Sequence, residues 1–153
     1  MNIFVTDKCP IRSAQYLDDK RVVKMCLESA QLLASAIQLN GGTATYKITH
    51  KGHPATIWTA KTKGNYRWVL RHFAALCREY TRRYGKVHKC TEYIKEFTNG
   101  INYIPDGGQE KFVNCAANKE HGVSFKHLDD TCLAYQLYLN ERWDKDKREP
   151  TWS

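Results

Sequence analysis

The stretch LDDKRVVKMCLESAQLLASAI, Leu17 to Ile37, decides the fold. Lys20, Lys24, Glu28, Gln31 and Ser35 recur at steps of three and four, so a helix lines them along one face. Val22, Val23, Cys26, Leu27, Ala30, Leu33, Ala34 and Ile37 supply the opposite, apolar side. Pro10 marks the entry of an earlier helical piece that breaks near Leu17-Asp18, and Asn40-Gly41-Gly42 ends the long helix. Glu28 is the one acid on this basic stripe. One reading pairs it with Lys24 at i,i+4, an interaction worth about 0.3 kcal/mol. The other makes it a charge-stabilising carboxylate, with the cations around it holding phosphates.

Outward from this helix, a second long helix is predicted from about Lys63 to Tyr84, closed by Gly85. Trp68, Val69, Phe73, Leu76, Cys77 and Tyr80 form its apolar stripe, and Arg71, Arg78 and Arg82 one flank, with Arg67, Arg83 and Lys86 nearby. Pro54 opens a short turn through Trp58, and another short helix covers about Thr91 to Phe97. Asp129 or Asp130 caps a last helix to about Trp143, which buries Cys132, Leu133, Tyr135, Leu137 and Leu139 to differing degrees. Met1 to Val5 reads as an extended arm, Thr43 to Gly52 as a polar loop, and Gln109 to Asn118 stays ambiguous, with a helix possible on pattern alone. No strand alternation or internal repeat interrupts this order. The expected fold is all-α: one compact domain over residues 1–153, a bundle of about three long helices with short ones between.

A chain of 153 residues buries roughly two-thirds of its unfolded surface. No apolar run approaches the ~20 residues of a membrane span and no secretory h-region opens the chain, so a soluble, cytoplasmic protein is expected, with a monomer as the default. The six cysteines (Cys9, Cys26, Cys77, Cys90, Cys115, Cys132) are scattered without a CxxC pair and read as reduced, structural thiols. The 24 basic side chains exceed the 16 acidic ones by 8, which calls for a polyanionic partner, most simply nucleic acid. Rings interleaved with the basic residues (Trp58, Tyr66, Trp68, Trp152) suit phosphate contact combined with base stacking.

GxSxG, Walker A and dinucleotide fingerprints are absent. His50-x-x-His53 and His127 near Asp129-Asp130 are too sparse for a zinc site, and no metal or other cofactor is expected. His50 and His53 stand either as phosphate or base contacts or as caps of the turn before Pro54. The candidate nucleic-acid-binding set is Lys20, Arg21, Lys24, His50, His53, Asn65, Arg71, Arg78 and Arg82. If the two long helices pack side by side, Glu28 would lie in a cationic cleft between their basic faces.

The order of these features resembles the pyrimidine-dimer DNA glycosylase family, the small phage and viral enzymes called endonuclease V. Asp19 and Glu28 have the separation of that family's Asp and catalytic Glu. NYRWVLRHFAALCREYTRRYGK is similar to its second long helix, and Pro150-Thr151-Trp152 to its C-terminal Pro-Thr-Trp. The resemblance implies a mostly helical domain that flips a nucleotide out of duplex DNA and attacks the sugar with its N-terminal α-amine. A Schiff base then forms and β-elimination nicks the strand. Carried over, Glu28 is the catalytic acid. The family's histidine two residues after the Asp is Arg21 here. Its nucleophile is usually a threonine exposed by removal of the initiator Met. Asn2 is a poor substrate for that processing, which makes the amine of Met1, with a pKa near 8, the candidate nucleophile.

The leading expectation is a DNA glycosylase, with or without abasic-site lyase activity, that excises a damaged or modified pyrimidine from double-stranded DNA. The alternatives are a modified-base or nucleotide-processing enzyme on the same fold, using His50, His53 and Glu28, and a non-catalytic DNA-binding protein.

Overall fold

A computed structural model describes residues 2–153. Helices α1 (Pro10–Tyr16) and α2 (Asp19–Leu39) are separated at Leu17 and Asp18, both in extended backbone, which turns the expected break into a sharp corner. α2 is the central helix. Besides its apolar side it buries Arg21, Met25, Ser29, Leu32 and Ser35, while Leu27, expected inside, is 40% exposed. By length and composition α2 could cross a membrane, but 61% of its most apolar window is buried inside the protein. Its hydropathy is that of a helix enclosed by neighbours.

α3 (Pro54–Lys61) and α4 (Lys63–Tyr84) pack against α2 and against each other. Thr62 separates them: its hydroxyl accepts a hydrogen bond from Asn65 N at 3.1 Å and caps α4. Gly85, at φ +71, closes α4 in the left-handed conformation that glycine adopts without a Cβ penalty. Where α4 begins, the Pro105–Glu110 loop lies so close that a Cβ on Gly64 would collide with the Gln109 backbone. Arg83 ties the other end of α4 to the α1–α2 corner. It is almost wholly buried, pairs with Glu79 and Asp19, and donates to the carbonyls of Leu17 and Gln15.

The short helix expected at Thr91–Phe97 is a 3-10 turn (Lys89–Tyr93) running into α5 (Ile94–Gly100). Gln109–Asn118 is not helical. It is extended coil ending in β1 (Ala117–Asn118), which pairs antiparallel with β2 (Val123–Ser124). Distant side chains satisfy its backbone: Asn65 Oδ1 accepts from Glu110 N, Trp58 Nε1 donates to Lys111 O, and Tyr135 OH accepts from Cys115 N. α6 (Thr131–Lys145) is capped by Asp130, whose carboxylate accepts from Leu133 N. It buries Thr131, Ala134, Tyr135 and Leu139, whereas Leu133 and Leu137, expected inside, are 42% and 37% exposed. A single apolar cluster runs from Ile3 and Val5 of the arm through α2, α3 and α4 to Leu139, which confirms the mainly helical class. All six cysteines carry free thiols.

Candidate nucleic-acid interface

Glu28 is half-buried, its side chain 23% exposed. Its ion-pair partner is Lys24 Nζ at 4.0 Å, on a lysine whose side chain is 68% exposed. A pair that long and that wet contributes a few tenths of a kcal/mol at most. Two turns further along the same line of α2, Ser35 Oγ donates to Thr49 O at 3.2 Å and accepts from Thr49 N at 3.0 Å. Gln38 Nε2 donates to Tyr46 O at 2.8 Å, so the 46–50 loop is pinned to the C-terminal end of α2 at Ser35 and Gln38. His50 follows at once. Among the described residues it is the one non-glycine with positive φ, +47, a conformation that costs energy and that clusters at functional sites. Its Nδ1 lies 2.8 Å from Thr49 Oγ1.

His53 caps α3. Its Nδ1 accepts from Ala55 N at 3.0 Å, so the capping alternative holds for this histidine. Burial holds the His53 imidazole below the ordinary histidine pKa, and the neighbouring His50 adds to the effect. The N-terminal arm reaches the same end of α3: Asn2, Ala55, Trp58 and Tyr135 line one small, tightly packed cavity. Asn2 Oδ1 accepts from Ile3 N and from Tyr135 OH, both at 2.8 Å, which fixes the start of the arm. The candidate nucleophile Met1 lies outside the described residues. Asn2 and Tyr135 were missed from sequence because their partnership spans 133 residues.

Several candidate DNA contacts have other work. Arg21 is 6% exposed, and its guanidinium donates to Asp18 at 3.2 and 3.3 Å and to Asp146 at 2.8 and 3.3 Å. It ties α2 to the C-terminal segment, with its guanidinium committed to two carboxylates. Asn65 is fully buried, donating to Trp58 O and accepting from Glu110 N, so it too is structural. Arg82 divides its guanidinium between Glu79 and Ser153 O, though its side chain stays 58% exposed. Lys20 and Lys24 are exposed and line a groove of about 420 Å³ with Tyr84, Arg148 and Thr151, and the carboxylates of Asp18, Asp19, Asp146 and Glu149 line it as well.

The expected cationic cleft does not form. At about 100° per residue, Glu28 points roughly 160° away from the Cys26–Leu33–Ile37 line that faces α4. Arg71 and Arg78, both exposed, point correspondingly away from the inward Val69–Phe73–Leu76 line of α4. α2 and α4 pack against each other, so the helical period turns both basic stripes away from that contact. The C-terminal end of the α4 flank reaches the Asp19 clasp beside Lys20 through Arg82 and Ser153.

Asp19 also has a role the sequence did not reveal. Its carboxylate accepts from Ser153 N and Oγ, from Thr151 Oγ1 and from Arg83, at 2.6 to 3.1 Å. Asp19 N donates to Thr151 O, and Trp152 Nε1 donates to Tyr16 O. Burial alone would raise the Asp19 pKa, but the hydrogen bonds from Ser153 and Thr151 and the Arg83 charge outweigh it and hold the group at about 2. Asp19 and Pro150-Thr151-Trp152, two separate parts of the resemblance, thus form one clasp. Among the described residues no group of three His, Cys, Asp or Glu side chains converges to hold a metal ion.

A family model described as pyrimidine dimer DNA glycosylase matches residues 1–95, from the arm through α4 and the 3-10 turn. No curated protein matches the chain, and no solved structure does.

Proposed function

From the premise that this chain belongs to the pyrimidine dimer DNA glycosylase family, we propose that Glu28 is its catalytic carboxylate. The family's activity and its DNA substrate are the frame, and the finer assignment is to a damaged or modified pyrimidine flipped out of the duplex. The observation that carries the reading is a half-buried carboxylate whose ion-pair partner, Lys24, stands 4.0 Å away, on the helix to which the strained His50 turn is bonded two turns further on at Ser35. Lys20 and Lys24 on the same helix hold backbone phosphates, and the free edges of His50 and His53 meet the sugar or the base.

In the lyase version, the α-amine of Met1 attacks C1′ as the glycosidic bond breaks and the base departs with the bonding pair. The attacking nitrogen sheds a proton, the C1′–O4′ bond opens as O4′ takes up a proton, and the product is an iminium ion. The negative charge of Glu28 stabilises both it and the oxocarbenium-like state before it. Loss of a C2′ proton then expels the 3′ phosphate by β-elimination. Asn2, held by Tyr135, orients the arm toward the turn that carries His53. Without the amine, water takes the place of the nucleophile and the reaction stops at the abasic site.

Borohydride trapping on duplexes carrying one abasic site or one pyrimidine dimer tests both versions. A covalent adduct mapping to Met1 is the expected result, with excision and trapping reduced by a factor on the order of 100 or more in Glu28→Gln. Full excision by Glu28→Gln on each duplex would refute the assignment.

A further inference from the structure

Arg67, Arg71, Arg78 and Arg82 form a row along the side of α4 that points away from α2, and all are exposed. Arg82 is partly engaged by Glu79 and Ser153. Among the described residues, Arg67, Arg71 and Arg78 have neither a hydrogen bond nor an ion pair, and Glu79, the one acid of α4, is turned to the buried side. Arg67–Arg71 and Arg78–Arg82 are like charges at i,i+4, an arrangement that weakens a helix unless something outside compensates it. Guanidinium forks fit phosphate oxygens in a way that lysine ammonium groups do not. At 1.5 Å per residue the row spans about 22 Å, in two pairs centred about 16 Å apart. That spacing suits two phosphate rows flanking a duplex groove about 12 Å wide.

Arg67, Arg71 and Arg78 point away from α2 as Glu28 points away from α4, so a straight duplex lying along the row does not reach the Glu28 stripe. We propose that the outer face of α4 binds the backbone of a second segment of duplex DNA while the lesion duplex occupies the Glu28 face. The reading of the first face rests on the function proposed above, whereas the second face rests on the arginine row itself. A protein of this kind bridges two duplex segments and passes from one to the other without full release. Recognition on the outer face is of phosphate, with no base read, because no aromatic side chain stands in the row.

Energy transfer tests the proposal. The full-length protein is saturated with a donor-labelled duplex carrying an abasic-site analogue, and an acceptor-labelled undamaged duplex is titrated in at several salt concentrations. Transfer is expected with the wild-type protein. In Arg67→Ala/Arg71→Ala/Arg78→Ala, affinity for the second duplex is expected to fall at least tenfold. Its log–log salt dependence is expected to become shallower by about 3, close to one counterion for each lost contact. Affinity for the lesion duplex stays as in the wild type, and Lys24→Glu gives the reverse pattern. The absence of transfer with the wild type overturns the proposal, as does equal transfer in the triple variant. A parallel loss of lesion-duplex affinity also overturns it, because the row would then belong to the lesion track. Transfer in a protein that excises nothing would sink the catalytic reading of Glu28 and leave the second face standing.

Discussion

Replacing Asp19 by Asn removes the charge from the clasp that fastens the C-terminal segment to the start of α2. The carboxylate sits at about 2 in the folded protein against 3.8 for a free aspartate. At about 1.4 kcal/mol per pH unit, that gap is worth about 2 kcal/mol of stability. Because the folded value is depressed, the contribution is complete above pH 3.8. It is lost as the pH falls through the folded value, where both states are protonated. Urea unfolding followed by the fluorescence of Trp143 and Trp152, which lie edge to face at 4.9 Å, reads it directly. Asp19→Asn should lower the unfolding free energy by about 2 kcal/mol at pH 7, and the thermal midpoint by about 4–8 °C for a domain of this size. The difference from the wild type should shrink steadily below pH 3.8. Well below both midpoints, excision should stay within about twofold of wild type, since the carboxylate spends its acceptors on Ser153, Thr151 and Arg83. Lost excision at an unchanged midpoint would refute the reasoning and make Asp19 a group that acts on the substrate.

Arg21→Met should destabilise the fold by about 3–5 kcal/mol, because the buried Asp18 carboxylate and the mostly buried Asp146 carboxylate are left without their cation. Lesion-duplex affinity measured at low temperature should hold, and a selective loss of DNA binding would restore Arg21 as a phosphate contact. His72 is fully buried, donates through Nδ1 to Pro10 O at 3.0 Å, and has no partner for Nε2. Burial lowers its pKa to about 4 from 6.5. The unfolded chain therefore takes up the proton first as the pH falls. Stability should drop by up to about 3 kcal/mol between pH 6.5 and 4, and His72→Phe should flatten that slope in unfolding experiments at stepped pH. An identical slope in the variant would assign the pH dependence to other groups.

The elements with local signals were legible in the sequence. Pro10 and Pro54 stand at the first helical positions of α1 and α3, Gly85 ends α4 at positive φ, and the α2 polar stripe is where its spacing puts it. Gln109–Asn118 was not legible, because the groups that hold it come from α3, α4 and α6. The burial of Arg21 and Asn65 was hidden for the same reason: a polar residue on a helix looks solvated until the chain that buries it is known. The Asp19–Thr151 bond crosses 132 residues, and nothing in either local stretch announces it.

The sequence by itself determined which helices exist, which side of each is apolar, and that Glu28 stands alone among lysines. Those properties follow from the helical period and from transfer of side chains out of water, both of which act over a few residues. Only the tertiary structure decided where each stripe faces. Packing α2 on α4 turns Glu28 and the arginines Arg67, Arg71 and Arg78 away from the shared contact, while Arg82 and Arg83 are drawn into the clasp at the start of α2. Charges on the same chain are distributed by the burial of their neighbours, and attraction among the charges themselves is too weak in water to choose.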